Sequence, residues 1–191
     1  MTLRIRPAQP FDAAFAAPLI QEAIGRVGHH LTGTTNDEDA GHVIASFFVA
    51  RGNRLSFTHT LIAEGEGGRP VGLAVLYPGE FAEALDAPFR EHRRSLGLDP
   101  AIPTEAEVGE LYLDTLATVP AARGRGVGAA LIAACAGRAR RLGLPLTLLV
   151  EDGNPAARLY ARSGFVAAGE RELAGSRYAR LALTPDSPPA P

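Results

Sequence analysis

The sequence lacks the features that would tie a protein to a membrane, a nucleic acid or an oxidising compartment. It has a single cysteine, Cys135, which excludes an internal disulfide. A formal net charge of -2 without any run of lysines or arginines disfavours nucleic-acid binding, which usually requires a basic face. No apolar stretch approaches the roughly 20 residues of a membrane span, and residues 1–7 lack the apolar core of a signal peptide. We therefore expect a cytoplasmic protein that binds neither membranes nor nucleic acids.

The composition is that of a globular protein. Hydrophobic residues make up 46% of the 191 residues and charged residues 21%, which is enough for one domain with a hydrophobic core. No repeat or interdomain linker interrupts the chain, so we expect a single domain over residues 1–184. The tail, 185–191, is rich in proline and has almost no apolar residues, and we expect it to be disordered.

Hydrophobic spacing along the chain predicts strands and helices in alternation. Strands are predicted over 2–6, 58–64, 71–77, 108–119, 146–151, 165–172 and 177–183, and helices over 11–27, 37–50, 123–142 and 154–162. Residues 28–36 are expected to form a polar loop, and residues 78–107 a partly helical insert. This order predicts a mixed α/β protein with strand–helix–strand units in its second half.

A glycine-rich turn, Arg-Gly-Arg-Gly-Val-Gly over residues 123–128, lies between a predicted strand and a predicted helix. The first N–H groups of a helix have no intrahelical partner and carry a partial positive charge. Glycines let an anion approach those groups closely. The turn therefore predicts phosphate binding. The alternative is that the glycines only pack the helix against the strand.

Two well-known phosphate-binding patterns fit this turn poorly. A P-loop requires a lysine and a serine or threonine, and both are missing. A dinucleotide-binding turn requires Gly-x-Gly-x-x-Gly/Ala, which Gly124, Gly126 and Ala129 satisfy. That fold also places an acidic residue about 20 positions later, whereas residues 142–150 are uncharged. A nicotinamide-binding enzyme is therefore the weakest of the hypotheses.

The turn and a second segment downstream carry a family resemblance. Arg123-x-x-Gly126-x-Gly128 resembles the Arg/Gln-x-x-Gly-x-Gly/Ala signature of the GNAT acyltransferase superfamily. Residues 154–165 resemble the family's Asn-x-x-Ala-x-x-Leu-Tyr-x-x-x-Gly-Phe segment, and residues 116–122 look like its fourth strand and the link to its helix. The resemblance covers roughly residues 108–166. It implies a three-layer α/β fold: a mixed, mostly antiparallel sheet with helices on both faces and splayed central strands.

The resemblance also implies acetyl-CoA as co-substrate and assigns the residues that hold it. The pyrophosphate would bind the turn, formed by Arg123, Gly124, Arg125, Gly126, Val127, Gly128 and Ala129. Main-chain groups of Leu116, Ala117, Thr118 and Val119 would bind the pantetheine and orient the thioester. Asn154 would contact the pantetheine arm. Its alternative role, a helix cap, is compatible with that contact.

Tyr160 lies where many family members place the general acid for the departing thiolate. Phenol and thiol pKa values are close, roughly 10 and 8.5, so a short proton transfer is feasible. The alternative is a tyrosine that only packs in the core.

A general base is sought on the predicted strand 108–119. Glu110, Tyr112 and Asp114 alternate and so share one face, while Leu111, Leu113 and Thr115 occupy the other. Glu110 and Asp114 are the candidate bases, and Tyr112 is a candidate for binding substrate. The same pattern is also typical of a strand with one face in solvent.

The resemblance implies an N-acetyltransferase that acts on a primary amine of a small molecule or peptide, by direct attack in a ternary complex. His29 and His30, in the predicted loop, are candidate acceptor contacts, and the insert is expected to cover the acceptor. The histidines lack the spacing of a zinc site, so no metal is expected, and Cys135 lies in an apolar run typical of a buried thiol. The alternative is a non-catalytic acyl-CoA-binding module, and a homodimer is compatible with either.

Overall fold

The computed structural model describes residues 2–173 and 175–185. Six residues of the tail predicted to be disordered, 186–191, lie outside this range. Within the described residues, no helix combines the length and the apolar character needed to cross a membrane.

One mixed sheet forms the centre of the molecule. Within the described residues its seven strands are β1 (Arg4–Pro7), β2 (Thr60–Glu64), β3 (Pro70–Pro78), β4 (Leu111–Thr118), β5 (Leu146–Glu151), β6 (Val166–Leu173) and β7 (Ser176–Leu183). They lie in the order β1-β2-β3-β4-β5-β7-β6. The pair β4–β5 is parallel and the other neighbouring pairs are antiparallel.

Helices cover both faces of this sheet. They are α1 (Ala13–Ile24), α2 (Arg26–Thr32), α3 (Asp37–Val49), α4 (Ala82–Ser95), α5 (Val127–Leu142) and α6 (Ala157–Arg162). On one face, α5 buries Leu131 and Cys135 against strand residues such as Leu113. On the other face, α1, α3 and α4 bury Ile20, Ile44 and Phe89. Helices thus bury apolar side chains on both faces of the sheet, and the predicted three-layer α/β fold is confirmed.

The two central strands separate after a short contact. Only Leu111 and Tyr112 of β4 pair with β5, opposite Leu146 and Thr147. Beyond Tyr112, the described part of β4 pairs with β3 alone. The predicted splay of the central strands is therefore confirmed, and it leaves one edge of β4 open.

A β-bulge reorients the side chains of β4. Thr115 pairs with Val75 and Leu113 pairs with Leu76, so Asp114 is an additional residue in β4. Bulges of this kind redirect side chains and are common beside active sites. The bulge places Thr115 on the same face as Tyr112. The prediction that Thr115 shares a face with Leu111 and Leu113 is therefore wrong.

Several predicted boundaries also change. The first helix ends at Gly25 (φ +48°), and the chain turns directly into α2. Residues 28–32, more than half of the predicted loop 28–36, are therefore helical. The insert contains one helix, α4, that runs through Pro88. The predicted helix 123–142 begins only at Val127, because Gly124 and Gly126 have φ values of +72° and +84°.

Candidate active site

A cleft of about 1220 Å³ opens where β4 and β5 separate. One end is formed by the turn before α5 and by Asn154 and Tyr160. The other end is formed by polar side chains of three segments: Arg54, Glu105, Tyr112 and Asp114. The end of α1 and the start of α2 form a wall between them. The cleft therefore joins the predicted cofactor turn to a group of charged residues.

The turn before α5 has the geometry of an anion site. The α5 ladder begins with the bond from Ala130 N–H to the Gly126 carbonyl, 3.0 Å long. The N–H groups just before Ala130 therefore have no carbonyl one turn earlier in the helix. A Cβ atom on Gly124 or Gly126 would meet no atom within 4 Å. The glycines thus leave open space directly beside these N–H groups, which fits a phosphate-bearing group.

Most of the predicted turn residues line the cleft. They are Arg123, Gly124, Gly126, Val127, Gly128 and Ala129, whereas Arg125 is exposed and lies outside the lining. Nη2 of Arg123 lies 2.6 Å from Oε1 of Glu22 in α1, and both side chains are more than half exposed. This ion pair joins the turn to the wall of the cleft.

Three of the four predicted β4 residues, Leu116, Ala117 and Thr118, line the cleft along the open edge of the strand. Val119 is not part of that lining. Its N–H donates to the Val71 carbonyl at 3.0 Å, and its carbonyl accepts from the Ala122 N–H at 2.9 Å. The main-chain N–H of Val119 is therefore already used within the protein, and the free edge is that of residues 116–118.

Tyr160 lies in α6 and faces the cleft near the turn. Its ring packs edge-on against Phe165, with the ring centroids 5.7 Å apart. Burial raises the pKa of Tyr160 to about 12, with a smaller contribution from Cys135. The phenol therefore stays protonated at neutral pH and is able to donate a proton.

Asn154 also lines the cleft. Its Oδ1 accepts the N–H of Ala156 at 2.9 Å, just before α6 begins at Ala157. Ala156 is the N-cap residue of α6 and, among the residues that the structure describes, no side chain caps this helix, so the capping role that the sequence allowed for Asn154 is not formed. Its predicted contact with pantetheine remains a prediction.

The end of the cleft that is formed by Arg54, Glu105, Tyr112 and Asp114 is called here the inner end. It is organised around Arg54, whose side chain is buried. Nε of Arg54 lies 2.8 Å from Oδ2 of Asp114. Nη2 lies 2.7 Å from Oε1 of Glu105, and Nη1 lies 3.4 Å from Oδ1 of Asp86. One guanidinium is therefore shared by three carboxylates. Burial raises the pKa of Asp86 to about 6, and this effect outweighs the opposing charge of Arg54.

Two tyrosines complete this cluster. The hydroxyl of Tyr77 donates to Oδ2 of Asp114 at 3.1 Å, and that of Tyr112 donates to Oε2 of Glu105 at 2.8 Å. Burial raises the pKa of both phenols well above the usual value. Both therefore remain protonated and keep the two carboxylates hydrogen-bonded. Tyr112, predicted to bind substrate, lines the cleft.

Glu110 lies apart from the cleft, just before β4. Its side chain is buried and forms an ion pair with Arg180 of β7. Its Oε1 accepts the N–H of Glu107 at 2.8 Å. Of the two bases predicted from the strand pattern, only Asp114 therefore borders the cleft. Glu110 instead links the end of the insert to β7, through its bonds to the Glu107 N–H and to Arg180.

The two histidines predicted as acceptor contacts also lie outside the lining of the cleft. Nε2 of His29 lies 2.8 Å from Oδ1 of Asp37, and Nε2 of His30 lies 2.8 Å from the carbonyl of Ala101. The prediction placed them in a loop, whereas α2 directs them toward α3 and the insert. Within residues 2–173 and 175–185, no group of three or more His, Cys, Asp or Glu residues is arranged to hold a metal ion.

Arg54 and Glu105 are the cleft residues that sequence reasoning missed. Arg54 belongs to the connection between α3 and β2, and Glu105 to the segment between α4 and β4. Neither belongs to a recognisable motif. The sequence therefore offered no direct signal for either residue. The burial of Arg54, between Asn53 and Leu55, is seen only in the structure.

Comparison with known proteins places the chain in a family. The model of the Acetyltransferase (GNAT) family matches residues 36–165. The chain therefore belongs to the GNAT acetyltransferase family, and the resemblance seen in the sequence is confirmed. The family uses acetyl-CoA. The search among curated proteins found no match.

Solved structures with the same fold are also acetyltransferases. An N-acetyltransferase from Staphylococcus aureus Mu50 is 24% identical, with a TM-score of 0.81 over 94% of this chain and 100% of that one. A second acetyltransferase is 28% identical, with a TM-score of 0.76 over 96% and 100%. The NatC complex bound to Gag peptide and CoA is 17% identical, with a TM-score of 0.59 over 96% and 99%. The fold and the family together identify a GNAT N-acetyltransferase.

Proposed function

We propose that this protein transfers the acetyl group of acetyl-CoA to a primary amine of a small molecule or peptide, by direct attack in a ternary complex. The observation that carries the proposal is the continuity of one cleft. It connects the glycine turn, the Tyr160 phenol and the acidic cluster around Arg54. Both substrates therefore fit one cavity, with their reacting groups between the turn and the cluster.

The residues of the turn fit the phosphates of acetyl-CoA, and acetyl-CoA supplies a thioester carbonyl that is activated toward amines. The unpaired N–H groups near Gly126 attract the pyrophosphate. The open edge of β4 at Leu116–Thr118 offers main-chain groups to the pantetheine arm. These contacts hold the arm in the gap between β4 and β5.

Tyr160 supplies the proton for the leaving thiolate. Its pKa of about 12 keeps the phenol protonated until the thiolate forms. Its place near the turn and Asn154 puts it on the cofactor side of the cleft. General acid catalysis of this kind contributes roughly 10²- to 10⁴-fold to a rate.

The acidic cluster favours an amine as the acceptor. Three carboxylates surround one guanidinium, so the inner end of the cleft carries excess negative charge at neutral pH. Such a site concentrates cationic groups and disfavours anionic ones. An amine arrives mostly as its ammonium ion and is therefore attracted to this end.

The acetyl group passes directly between the substrates. Cys135 is the sole cysteine, and as a residue of α5 it is fully buried in the apolar core. Burial raises the pKa of its thiol to about 12, so thiolate formation is strongly disfavoured. A Cys135→Ala protein should therefore retain turnover. No acetylated enzyme should appear by mass spectrometry after mixing with acetyl-CoA alone.

The test of this function is release of free thiol from acetyl-CoA in the presence of a panel of primary amines. We expect turnover with at least one amine, and a Tyr160→Phe protein should lose roughly 100-fold or more in kcat while its Kd for CoA stays unchanged. Tight CoA binding without turnover on any amine would instead favour a non-catalytic acyl-CoA-binding module. An unchanged rate for Tyr160→Phe at every pH would remove Tyr160 as the acid.

A further inference from the structure

The carboxylates near the cleft differ in how accessible they are. Asp114 accepts bonds from Nε and Nη2 of Arg54 and from the Tyr77 hydroxyl on Oδ2, and from the Thr115 hydroxyl on Oδ1. Its side chain is 1% exposed. A base needs a free lone pair within reach of the proton that it takes. Asp114 is therefore poorly placed to take a proton from a substrate.

Two other acidic residues of the region are also unavailable. Glu110 is buried, lies outside the lining of the cleft and is held by Arg180 and by the Glu107 N–H. Asp86 is buried behind Arg54 and is likewise absent from the lining. Neither carboxylate can meet an acceptor that enters through the cleft.

Glu105 differs from all three. It lines the cleft, and its side chain is 14% exposed, against 1% for Asp114. Each of its oxygens accepts one bond: Oε1 from Nη2 of Arg54 at 2.7 Å, and Oε2 from the Tyr112 hydroxyl at 2.8 Å. A carboxylate oxygen has two lone pairs, so each oxygen keeps one for a ligand.

The backbone of Glu105 is also fixed. Nη1 of Arg171 donates to the Glu105 carbonyl at 2.8 Å, and Nη2 donates to the Thr104 carbonyl at 2.7 Å. Arg171 lies in β6, so the C-terminal hairpin anchors the segment that carries Glu105. A carboxylate held by its side chain and by its backbone is preorganised for contact with a substrate.

From this geometry we propose that Glu105 contacts the acceptor amine and takes its proton during acetyl transfer. The proposal rests on the proposed function, and it replaces the strand residues Glu110 and Asp114 as the base. Asp114 then acts through Arg54, as a positioning residue.

The proton balance of this step is complete. The ammonium ion first loses one proton to solvent. The lone pair of the resulting neutral amine then forms the C–N bond at the thioester carbonyl carbon, and the C–S bond breaks. One proton of the nitrogen moves to the Glu105 carboxylate, and the thiolate receives the proton of Tyr160. Solvent then carries a proton from the Glu105 carboxyl group to the Tyr160 phenolate. The net change from the ammonium ion and the thioester is one amide, one thiol and one proton released to solvent.

Charged and titratable groups of several elements surround Glu105. They are Arg54 before β2, Asp86 of α4, Tyr77 of β3, Tyr112 and Asp114 of β4, Arg171 of β6 and Tyr178 of β7. Burial opposes the charge of Arg54, but its carboxylate partners raise its pKa, so the guanidinium stays charged. Asp86, whose pKa burial raises to about 6, changes its charge near that pH.

The proposal is tested with Glu105→Gln, which keeps the shape of the side chain and an oxygen for Arg54. The matched control is Glu107→Gln, two residues along, whose side chain is 63% exposed. With an amine that the wild-type protein acetylates, we expect Glu105→Gln to lower kcat/KM about 100-fold or more. The loss should appear in kcat, whereas the Kd for CoA and the urea midpoint should stay unchanged. Glu107→Gln should match the wild type.

A conservative variant separates catalysis from structure. Glu105→Asp keeps the carboxylate and should recover part of the kcat that Glu105→Gln loses. A wild-type kcat in Glu105→Gln, with an active wild-type enzyme, would overturn the assignment and leave the proposed function intact. A wild-type protein that binds CoA but acetylates no amine of the panel would overturn the function, and with it this assignment.

Discussion

The guanidinium of Arg54 and the carboxylate of Asp114 form a buried ion pair, with Nε 2.8 Å from Oδ2, between residues 60 positions apart in the chain. This pair ties the connection before β2 to the bulge of β4. Because Glu105 and Asp86 depend on the same guanidinium, one side chain controls both the shape and the charge of the inner end of the cleft.

Replacing Arg54 with methionine should destabilise the protein by about 3–5 kcal/mol, because three carboxylates, two of them buried, lose the ion-pair partner that they share. Urea unfolding at pH 7.5 measures this loss. Arg51→Met is the control: Arg51 is exposed over the Phe57 ring, at 5.0 Å, and its removal should cost no more than about 1 kcal/mol. Adding Asp114→Asn to Arg54→Met should recover part of the loss. Equal stabilities for the two arginine variants would contradict the role of the cluster.

Asp86 makes stability depend on pH in a direction unusual for an aspartate. Burial raises its pKa from 3.8 to about 6. Between those values the folded state binds a proton that the unfolded state has lost, so the free energy of unfolding falls as pH rises. Asp86→Asn removes this contribution. Relative to wild type, the variant should therefore gain up to about 3 kcal/mol between pH 4 and pH 7, measured by urea unfolding. A difference that stays constant across this range would count against the prediction.

Substitutions at two glycines, one in the turn and one in α5, separate an effect on CoA binding from an effect on the stability of the helix. Gly126 has φ +84°, and a Cβ there would project into open space beside the turn. Gly126→Ala should therefore cost about 1–2 kcal/mol of stability and weaken CoA binding at least tenfold, as measured by calorimetry. Gly137, inside α5, is the control, because a Cβ there meets no atom closer than 3.9 Å. Gly137→Ala should stabilise the helix by about 0.5–1 kcal/mol and leave the Kd unchanged.

The sequence predicted the parts of the fold that local patterns encode. All seven strands were found near their observed positions, and β5 was placed at its observed ends. The glycine turn before α5 was predicted to bind a phosphate because glycines at fixed spacing before a helix have a local physical meaning. The boundaries that failed depend on single backbone torsions, such as the φ of +48° at Gly25, which a glycine permits but does not require.

The acidic end of the cleft could not be read from the sequence, for a different reason. Glu105 and Arg54 are 51 positions apart, and their meeting depends on the path of the segment between α4 and β4. The face of the sheet on which Thr115 lies was predicted wrongly because of the bulge at Asp114. An extra residue in one strand shows only in the pairing of that strand with its neighbour. Alternation along a strand predicts faces only while the register holds.

Arg171 offers a way to disturb Glu105 without touching the cluster itself. Its guanidinium donates to the carbonyls of Glu105 and Thr104 from β6. Arg171→Met removes both bonds, so the segment that carries Glu105 loses its anchor, and we expect kcat/KM for the amine to fall about tenfold. The Kd for CoA should stay unchanged, because neither Arg171 nor Glu105 belongs to the turn before α5.

The control is Arg177→Met: Arg177 is 68% exposed and pairs with the exposed Glu170 at 2.6 Å, and exposed pairs of this kind contribute little to stability. If both variants lowered kcat/KM equally, the effect would belong to the hairpin as a whole. A loss of kcat/KM in Arg171→Met alone would show that the bonds from Arg171 to the Glu105 segment support the reaction with the acceptor amine.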